Sequence, residues 1–291
     1  MMTVSSNSTT QHTLQHSFDC EGIGLHSGEV CHVSVSPADQ GHGLIFQRID
    51  LEGQPTIPAH YSYITNTFLC TKLGISQGIS VATTEHLMAA LAAHNIHNAL
   101  IQLRGPEIPF LDGSALPFMD KITKAGIINQ QVPRLMIKIT QEVRVEEENR
   151  WVQLSPADTF SAHLTYDFAN RQGMGKYSYD FQGQEGDFYQ HIAPARSFGF
   201  YEDAEKLHEK GLALGASLDN TVVIDQGKVM NPSGLRFDDE FARHKILDAV
   251  GDLYLAGAPI IGRYSAYNGG HGLHFKVLEK LFNNHCFVWI S

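Results

Sequence analysis

Apolar and polar residues alternate at Cys31-His32-Val33-Ser34-Val35 and again at Trp151-Val152-Gln153-Leu154. A period of two predicts half-buried strands. Longer periodic stretches predict helices opening near Glu85-His86-Leu87-Met88 and Arg243-His244-Lys245-Ile246, so the chain is of the mixed α and β class. Both halves follow one plan: several strands, a helix opening on a histidine, then a strand and another helix. A duplicated unit accounts for this plan, and so do two unrelated α+β domains. With duplication, the two histidine-bearing helix starts would face each other across the interface, where a site would be built. The polar segment Asn129-Gln130-Gln131-Val132-Pro133 is followed by fresh apolar alternation, as expected of a linker entering a new strand. The expected organisation is a frayed Ser/Thr/Asn-rich tail over residues 1–11, an N-terminal α+β domain over 12–130 and a C-terminal α+β domain over 134–291.

Composition narrows the function classes. With 291 residues, 43% of them hydrophobic, the chain has the size and composition of two ordinary globular domains. A formal charge of -10 argues against a nucleic-acid binder, which needs clustered Lys and Arg to neutralise phosphates. A small or lipid-like substrate fits better. Cys20, Cys31, Cys70 and Cys286 form no CxxC pair, so neither a disulfide framework nor a thiolate zinc site is suggested, and a cytoplasmic setting is expected. The polar start of the chain lacks the basic and apolar regions of a secretory signal. No run approaches the roughly 18 apolar residues of a membrane span, so any contact with lipid would be peripheral or through the substrate.

Sixteen histidines make any one of them uninformative, and geometry must select among them. In Arg243-His244-Lys245-Ile246-Leu247-Asp248-Ala249-Val250-Gly251-Asp252, a helix turning about 100° per residue puts His244, Asp248, Asp252 and Lys245 at roughly 0°, 40°, 80° and 100°. Ile246, Leu247, Val250, Leu253 and Tyr254 fall at roughly 180° to 300°, the core-facing arc of an amphipathic helix. Ligands and acid-base groups could therefore project together from a firmly packed element; a solvated face of His/Asp and Lys/Asp pairs has the same pattern. In Thr83-Thr84-Glu85-His86 the threonines suit capping and Glu85 complements the helix dipole. His86 becomes a metal candidate once His244 and Asp248 supply partners: two histidines and one carboxylate leave the fourth tetrahedral position open, as in catalytic zinc sites. Glu85, beside a ligand, could then take a proton from water. Tyr267-Asn268-Gly269-Gly270-His271-Gly272 brings His271 to the end of a strand, where Asp252 could orient it as a general acid; an ordinary glycine turn is the plainer reading.

Gly22-Ile23-Gly24-Leu25-His26-Ser27-Gly28, Thr84-Glu85-His86-Leu87, Pro106 to Ala115 (PEIPFLDGSA), Ala195-Arg196-Ser197-Phe198-Gly199-Phe200 and Asp239 to Asp252 together resemble the UDP-3-O-acyl-N-acetylglucosamine deacetylase family, in family order from about His12 to the C-terminus. The resemblance implies two similar α+β domains, each a β-sheet layered with α-helices, with the active site between the helical layers and an insert in each. The second insert, near Gly199 to Met230, would form a passage for the substrate's acyl chain; Gly211 to Gly215 within it reads equally as tight packing. The family implies one Zn2+ on His86, His244 and Asp248, Glu85 as general base, His271 as the acid for the leaving amine, Asp252 as its orienting carboxylate and Lys245 as a cation near the scissile amide. Ser197 stands where the family usually has Thr and keeps the hydroxyl that would assist the oxyanion. Phe198, Arg150, Asp167 and Phe168 become substrate contacts, Arg150 in place of a phosphate-facing Lys and Asp167-Phe168 as a uridine-contacting pair. Gly22 to Gly28 and Phe110 to Ala115 read as mainly architectural, with His26 outside the catalytic set.

The implied function is deacetylation of a UDP-linked, acylated amino sugar in lipid A synthesis. The same machinery acting on another N-acyl amino sugar, or a non-catalytic nucleotide-sugar binding protein with structural zinc, are the alternatives; a closed structural site needs a fourth protein ligand, and the sequence supplies none. Two departures stand out. The family's Lys-Ser-Gly-His-Ala-Leu-Asn-Asn is here Asn268-Gly269-Gly270-His271-Gly272-Leu273-His274-Phe275, so a cation beside the phosphates is lost and extra glycine is expected to loosen the segment carrying His271. The family's Asn-His-Pro after Phe168 is replaced by Ala169-Asn170-Arg171.

Overall fold

The computed structural model describes residues 10–291 except 77, 170, 172 and 185. The expected tail over 1–9 and Asn170 of the altered run lie outside the described residues.

Each half is built on a five-stranded sheet of one topology. In the first, the spatial order is Phe18–Ile23, Val30–Pro37, Ala99–Arg104, Leu44–Arg48, Thr56–Pro58. In the second it is Val143–Glu147, Arg150–Ser155, Arg263–Tyr267, Ser161–Asp167, Lys176–Phe181. In both, the last strand in sequence inserts at the centre, parallel to the third strand and antiparallel to the second. A parallel neighbour requires a long crossover, and these crossovers carry the helices that matter here. Helix α1 (Glu85–Ala93) precedes the central strand of the first half and α2 (Leu116–Ala125) follows it. In the second half α3 (Ala204–Glu209) and then α4 (Glu240–Tyr254) precede the central strand, and α5 (His271–Asn283) follows it. Matching order, pairing sense and helix placement make the halves two copies of one α+β design, which decides between the two readings that the plan of the sequence left open.

Both halves also carry a small three-stranded insertion at the equivalent point, between the fourth strand and the helix. The first comprises Ile64–Asn66, Lys72–Ser76 and Ile79–Val81; the second comprises Phe198–Phe200, Val222–Asp225 and Lys228–Val229, with α3 crossing between its parallel pair. One continuous core joins the halves, from Val33, Phe46 and Leu87 to Val152, Leu164 and Leu247.

Helices α1 and α4 pack against each other between the sheets. Every residue from Glu85 to Leu91 is buried, so α1 has no solvent face, and small residues let α4 come close. A methyl group built on Gly251 would lie 2.8 Å from the Glu85 carbonyl carbon and 3.1 Å from Ala89 N, nearer than packed atoms tolerate.

Four local expectations are revised. Thr10 and Gln11 belong to a strand, Thr10–Leu14, not to a tail. Its partner is Ile127–Pro133, so the segment expected as a linker is itself paired; Asn129 and Gln131 face outward on the two-stranded ribbon, while Gln130 turns in to Asn98 and the Ala38 carbonyl. Arg243-His244 lies one turn inside α4, which begins at Glu240, because Glu240 closes a buried ion pair with Arg196 at 2.8 Å that holds the helix start. Thr84 makes no side-chain cap on α1; its hydroxyl donates to the Thr71 carbonyl at 3.2 Å, tying the helix to the loop ahead of it.

Candidate active site

The crossing of α1 and α4 sets His86 against His244 and Asp248. One ligand atom from each falls within 4.8 Å of the others: His86 Nε2 and His244 Nε2 lie 3.5 and 3.3 Å from Asp248 Oδ1, and the two rings meet edge-on at 5.1 Å. Local bonding prepares these atoms. His244 Nδ1 donates to the Ala195 carbonyl at 3.0 Å, which leaves a lone pair on Nε2. Burial, opposed by Asp248, pushes the His244 imidazole down to about 3, so it is neutral near pH 7. Asp248 Oδ2 takes a hydrogen bond from Lys245 Nζ at 2.9 Å, while buried Oδ1 has no hydrogen-bond partner among the described residues. Burial alone would raise the Asp248 carboxyl, but His244 and Lys245 hold it well below the usual range. A neutral imidazole, an ionised carboxylate and an unsatisfied buried oxygen pointing at one spot fit a bound divalent metal.

Glu85 and His271 lie together beside this group. Burial drives the Glu85 carboxyl up to about 7, with His271 and His86 pulling it down, and its Oε2 accepts the Thr71 backbone N–H at 3.1 Å. His271 Nε2 stands 3.8 Å from Glu85 Oε1. Burial pushes the His271 ring down, yet Asp252, whose Oδ2 is 2.7 Å from His271 Nδ1, outweighs it and raises the ring to about 9. A carboxylate poised near neutrality and an imidazolium charged above it are an acid-base pair set apart by their surroundings.

These groups adjoin a cleft of about 1390 Å³ lined by both insertions. Ser197, Phe198 and Lys245 reach it beside His271, with the Lys245 ammonium 5.3 Å from the Phe198 ring centre. Leu207, Leu218, Val223 and Met230 give one wall an apolar character, and Arg150, Asp167 and Asn268 border another. Arg150 is exposed and pairs with Glu147 at 2.9 Å. Asp167 is bound to Lys176 at 3.0 Å and accepts from the Tyr267 hydroxyl. Phe168 touches the cleft but is 4% exposed, edge-on to Tyr166, Tyr177, Phe198, Phe200 and Phe241, so packing claims most of its surface. In the loop Gly211–Gly215, Ala213 lines the cleft, and Leu214 packs so close to Gly28 that a methyl there would meet its Cβ at 3.0 Å.

Two expectations about the His271 segment change. Asn268 does not simply vacate a cationic position: with φ at 51°, a conformation asparagine tolerates better than most residues, its Oδ1 accepts the Asp167 N–H at 2.6 Å. Gly269, expected to loosen the segment, has a packing reason to be glycine, because a side chain there would run into Tyr264 and Ala266. Two neighbours of the site escaped the sequence reading, and His26, set outside the catalytic group, proves to line the cleft. Thr71 donates its hydroxyl to Asp252 Oδ1 at 2.5 Å, His274 places Nδ1 2.7 Å from Asp252 Oδ2, and His26 is a buried wall of the cleft whose Nδ1 accepts the Ala213 N–H at 3.4 Å. The i, i+3 spacing of His271 and His274 was the available signal; Thr71 had none.

A repeated α+β scaffold brings histidines and carboxylates together at the crossing of its two central helices, an arrangement of the kind that hydrolases use. The family model for UDP-3-O-acyl N-acetylglycosamine deacetylase matches residues 11–283, and the chain belongs to that family. It is 44% identical over 278 residues to the UDP-3-O-acyl-N-acetylglucosamine deacetylase of Myxococcus xanthus, covering 96% of this chain and 88% of that protein. Proteins of the same name from Pasteurella multocida and Haemophilus influenzae are 44% and 43% identical, each covering 94% of this chain and 90% of the relative.

Proposed function

We propose that the chain hydrolyses the N-acetyl group of a UDP-linked, 3-O-acylated N-acetylglucosamine, releasing acetate and the free amine, as a step of lipid A synthesis. The observation that carries the reading is the pairing of Glu85 with His271 beside the His86, His244 and Asp248 group at the edge of a cleft with one apolar wall. The names of the relatives supply the substrate class.

The ligand set suits Zn2+, which when bound supplies Lewis acidity toward the amide carbonyl and the attacking water. Glu85 accepts the proton of that water, with Thr71 N–H holding its other oxygen. His271 gives its Nε2 proton to the departing nitrogen, while Asp252 stabilises the charged ring and fixes its orientation. Ser197 and Lys245 present a hydroxyl and an ammonium where negative charge develops on the carbonyl oxygen. Phe198 and the apolar wall receive the acyl chain, and Arg150, Asp167 and Phe168 the UDP end. No described helix is long and apolar enough to cross a membrane, and the lipid-like part of the substrate is met in the cleft. We place the protein in the cytoplasm, consistent with four buried, unpaired cysteines.

The test is acetate release from the UDP-linked acylated sugar, from its de-acylated form and from the sugar lacking UDP, with zinc content measured in parallel. Turnover restricted to the complete substrate supports the reading, and preference for a sugar without UDP would move the activity to another amino sugar. His86→Ala, His244→Ala and Asp248→Ala should each lose metal and nearly all turnover. Full zinc occupancy with normal turnover in one of them would remove that residue from the ligand set.

A further inference from the structure

One carboxylate oxygen in this site serves two imidazoles. Asp252 Oδ2 lies 2.7 Å from Nδ1 of His271 and 2.7 Å from Nδ1 of His274. His274 is fully buried one turn further along α5, and its Nε2 is 2.8 Å from the hydroxyl of Tyr264, also fully buried. Burial pushes the Tyr264 phenol well above its ordinary range, so the phenol keeps its proton and can donate it to Nε2. With the phenol donating, the hydrogen bonds run from Tyr264 through His274 to Asp252 and end on the oxygen that orients His271. Room for the phenol comes from Gly269: a methyl built there would lie 2.8 Å from the Tyr264 hydroxyl and 3.0 Å from Ala266 Cβ. Gly269, Tyr264 and His274 thus belong to one arrangement.

We propose that His274 is a positioning residue for the His271 acid, acting through Asp252 and itself fixed by Tyr264. The proposal rests on the deacetylase reading of the site. Asp252 is buried with the Thr71 hydroxyl anchoring Oδ1, and a second donor on Oδ2 holds that oxygen in place independently of the His271 ring, which must move its proton during turnover. The second donor also draws on the charge of Oδ2, so Asp252 grips the His271 proton less tightly than it would alone. The other titratable groups about His271 are Glu85 on α1, Asp248 on α4 and His26 on the turn before Ser27; those about His274 are Asp252, His271 and Tyr264.

The experiment compares the whole enzyme with His274→Phe, Tyr264→Phe and His274→Asn, measuring kcat, KM and the pH profile of acetate release, with the His271 ring titration followed directly by ¹⁵N NMR. Asparagine places its Nδ2 where histidine has Nδ1, so it can donate to Asp252 without reaching Tyr264. In His274→Phe, kcat should fall roughly tenfold with KM within about twofold, part of the usual contribution of an acid. The alkaline limb should move up by about 0.5 to 1 pH unit, the scale of one lost neutral hydrogen bond. Tyr264→Phe, which removes one oxygen and leaves the ring in place, should shift the limb the same way by less. His274→Asn should bring the limb and kcat back toward the parent values. Coincident limbs in the parent, His274→Phe and Tyr264→Phe proteins would overturn the proposal, as would a His274→Asn enzyme as displaced as His274→Phe. If His274→Phe fails to fold, the Tyr264→Phe limb decides alone. If the parent enzyme releases no acetate, the deacetylase reading falls, and the His271 titration in Tyr264→Phe decides the positioning role: an upward shift sustains it and an unchanged one ends it.

Discussion

Gly251→Ala tests whether the helix crossing sets the geometry of the site. The added methyl would stand 2.8 Å from the Glu85 carbonyl carbon, against backbone that cannot rotate away. Carbon atoms pack at about 3.5 to 4.0 Å, so α1 and α4 must part by roughly 1 Å. Overpacking of this kind costs about 1 to 3 kcal/mol, which in a chain of this size lowers Tm by roughly 2 to 10 °C. The larger effect should fall on catalysis, because α1 carries Glu85 and His86 while α4 carries His244, Asp248 and Asp252. Misplacing groups by about 1 Å can cost on the order of 10²-fold in rate, and the ligand atoms of His86 and Asp248 would separate. The assay pairs calorimetry with kcat and zinc affinity on one preparation. A variant that melts a few degrees early yet retains parental kcat and zinc affinity would refute the claim that close approach at residue 251 is what brings the two halves of the site into register.

Glu85→Gln should keep metal and fold while losing on the order of 10²-fold to 10⁴-fold in rate, and it should abolish the acid limb of the parent profile. That limb rises as Glu85, poised at about 7, gives up its proton, and the alkaline limb falls as His271, at about 9, loses its own; an acid limb that persisted in Glu85→Gln would assign it to another group. Asn268→Lys removes the acceptor of the Asp167 N–H and puts lysine at a φ of 51°, so we expect a loss of about 1 to 2 kcal/mol in a denaturant titration. Stability equal to the parent, together with a lower KM that rises with salt, would show residue 268 turned toward the phosphates instead.

Strand alternation and the wedge on α4 were legible in the sequence because each depends on residues within a few positions of one another. His244, Asp248 and Asp252 lie along one face, and no partner is needed to see it. What stayed hidden depends on contacts between distant segments. Thr71 meets Asp252 across 181 positions, and nothing near Thr71 marks it. Asn129 to Pro133 looked like a linker because a strand of a two-stranded ribbon, with one face open to solvent and Gln130 bonded to Asn98 on the other, carries the polar composition of a loop. Gly269 looked permissive, whereas the structure uses its missing side chain as space. In each case a residue type with two physical uses was read for the commoner one.

The two sheets repeat one another, but the chemistry does not. One copy contributes Thr71, Glu85 and His86, and the other His244, Asp248, Asp252 and His271, so neither copy holds a working centre by itself. Turnover therefore reports on the docking of the copies as sensitively as any spectroscopic probe. Mild denaturant that slides one past the other would silence the enzyme while leaving circular dichroism almost untouched, and a ligand that wedges into that seam would act as an inhibitor without occupying the cleft.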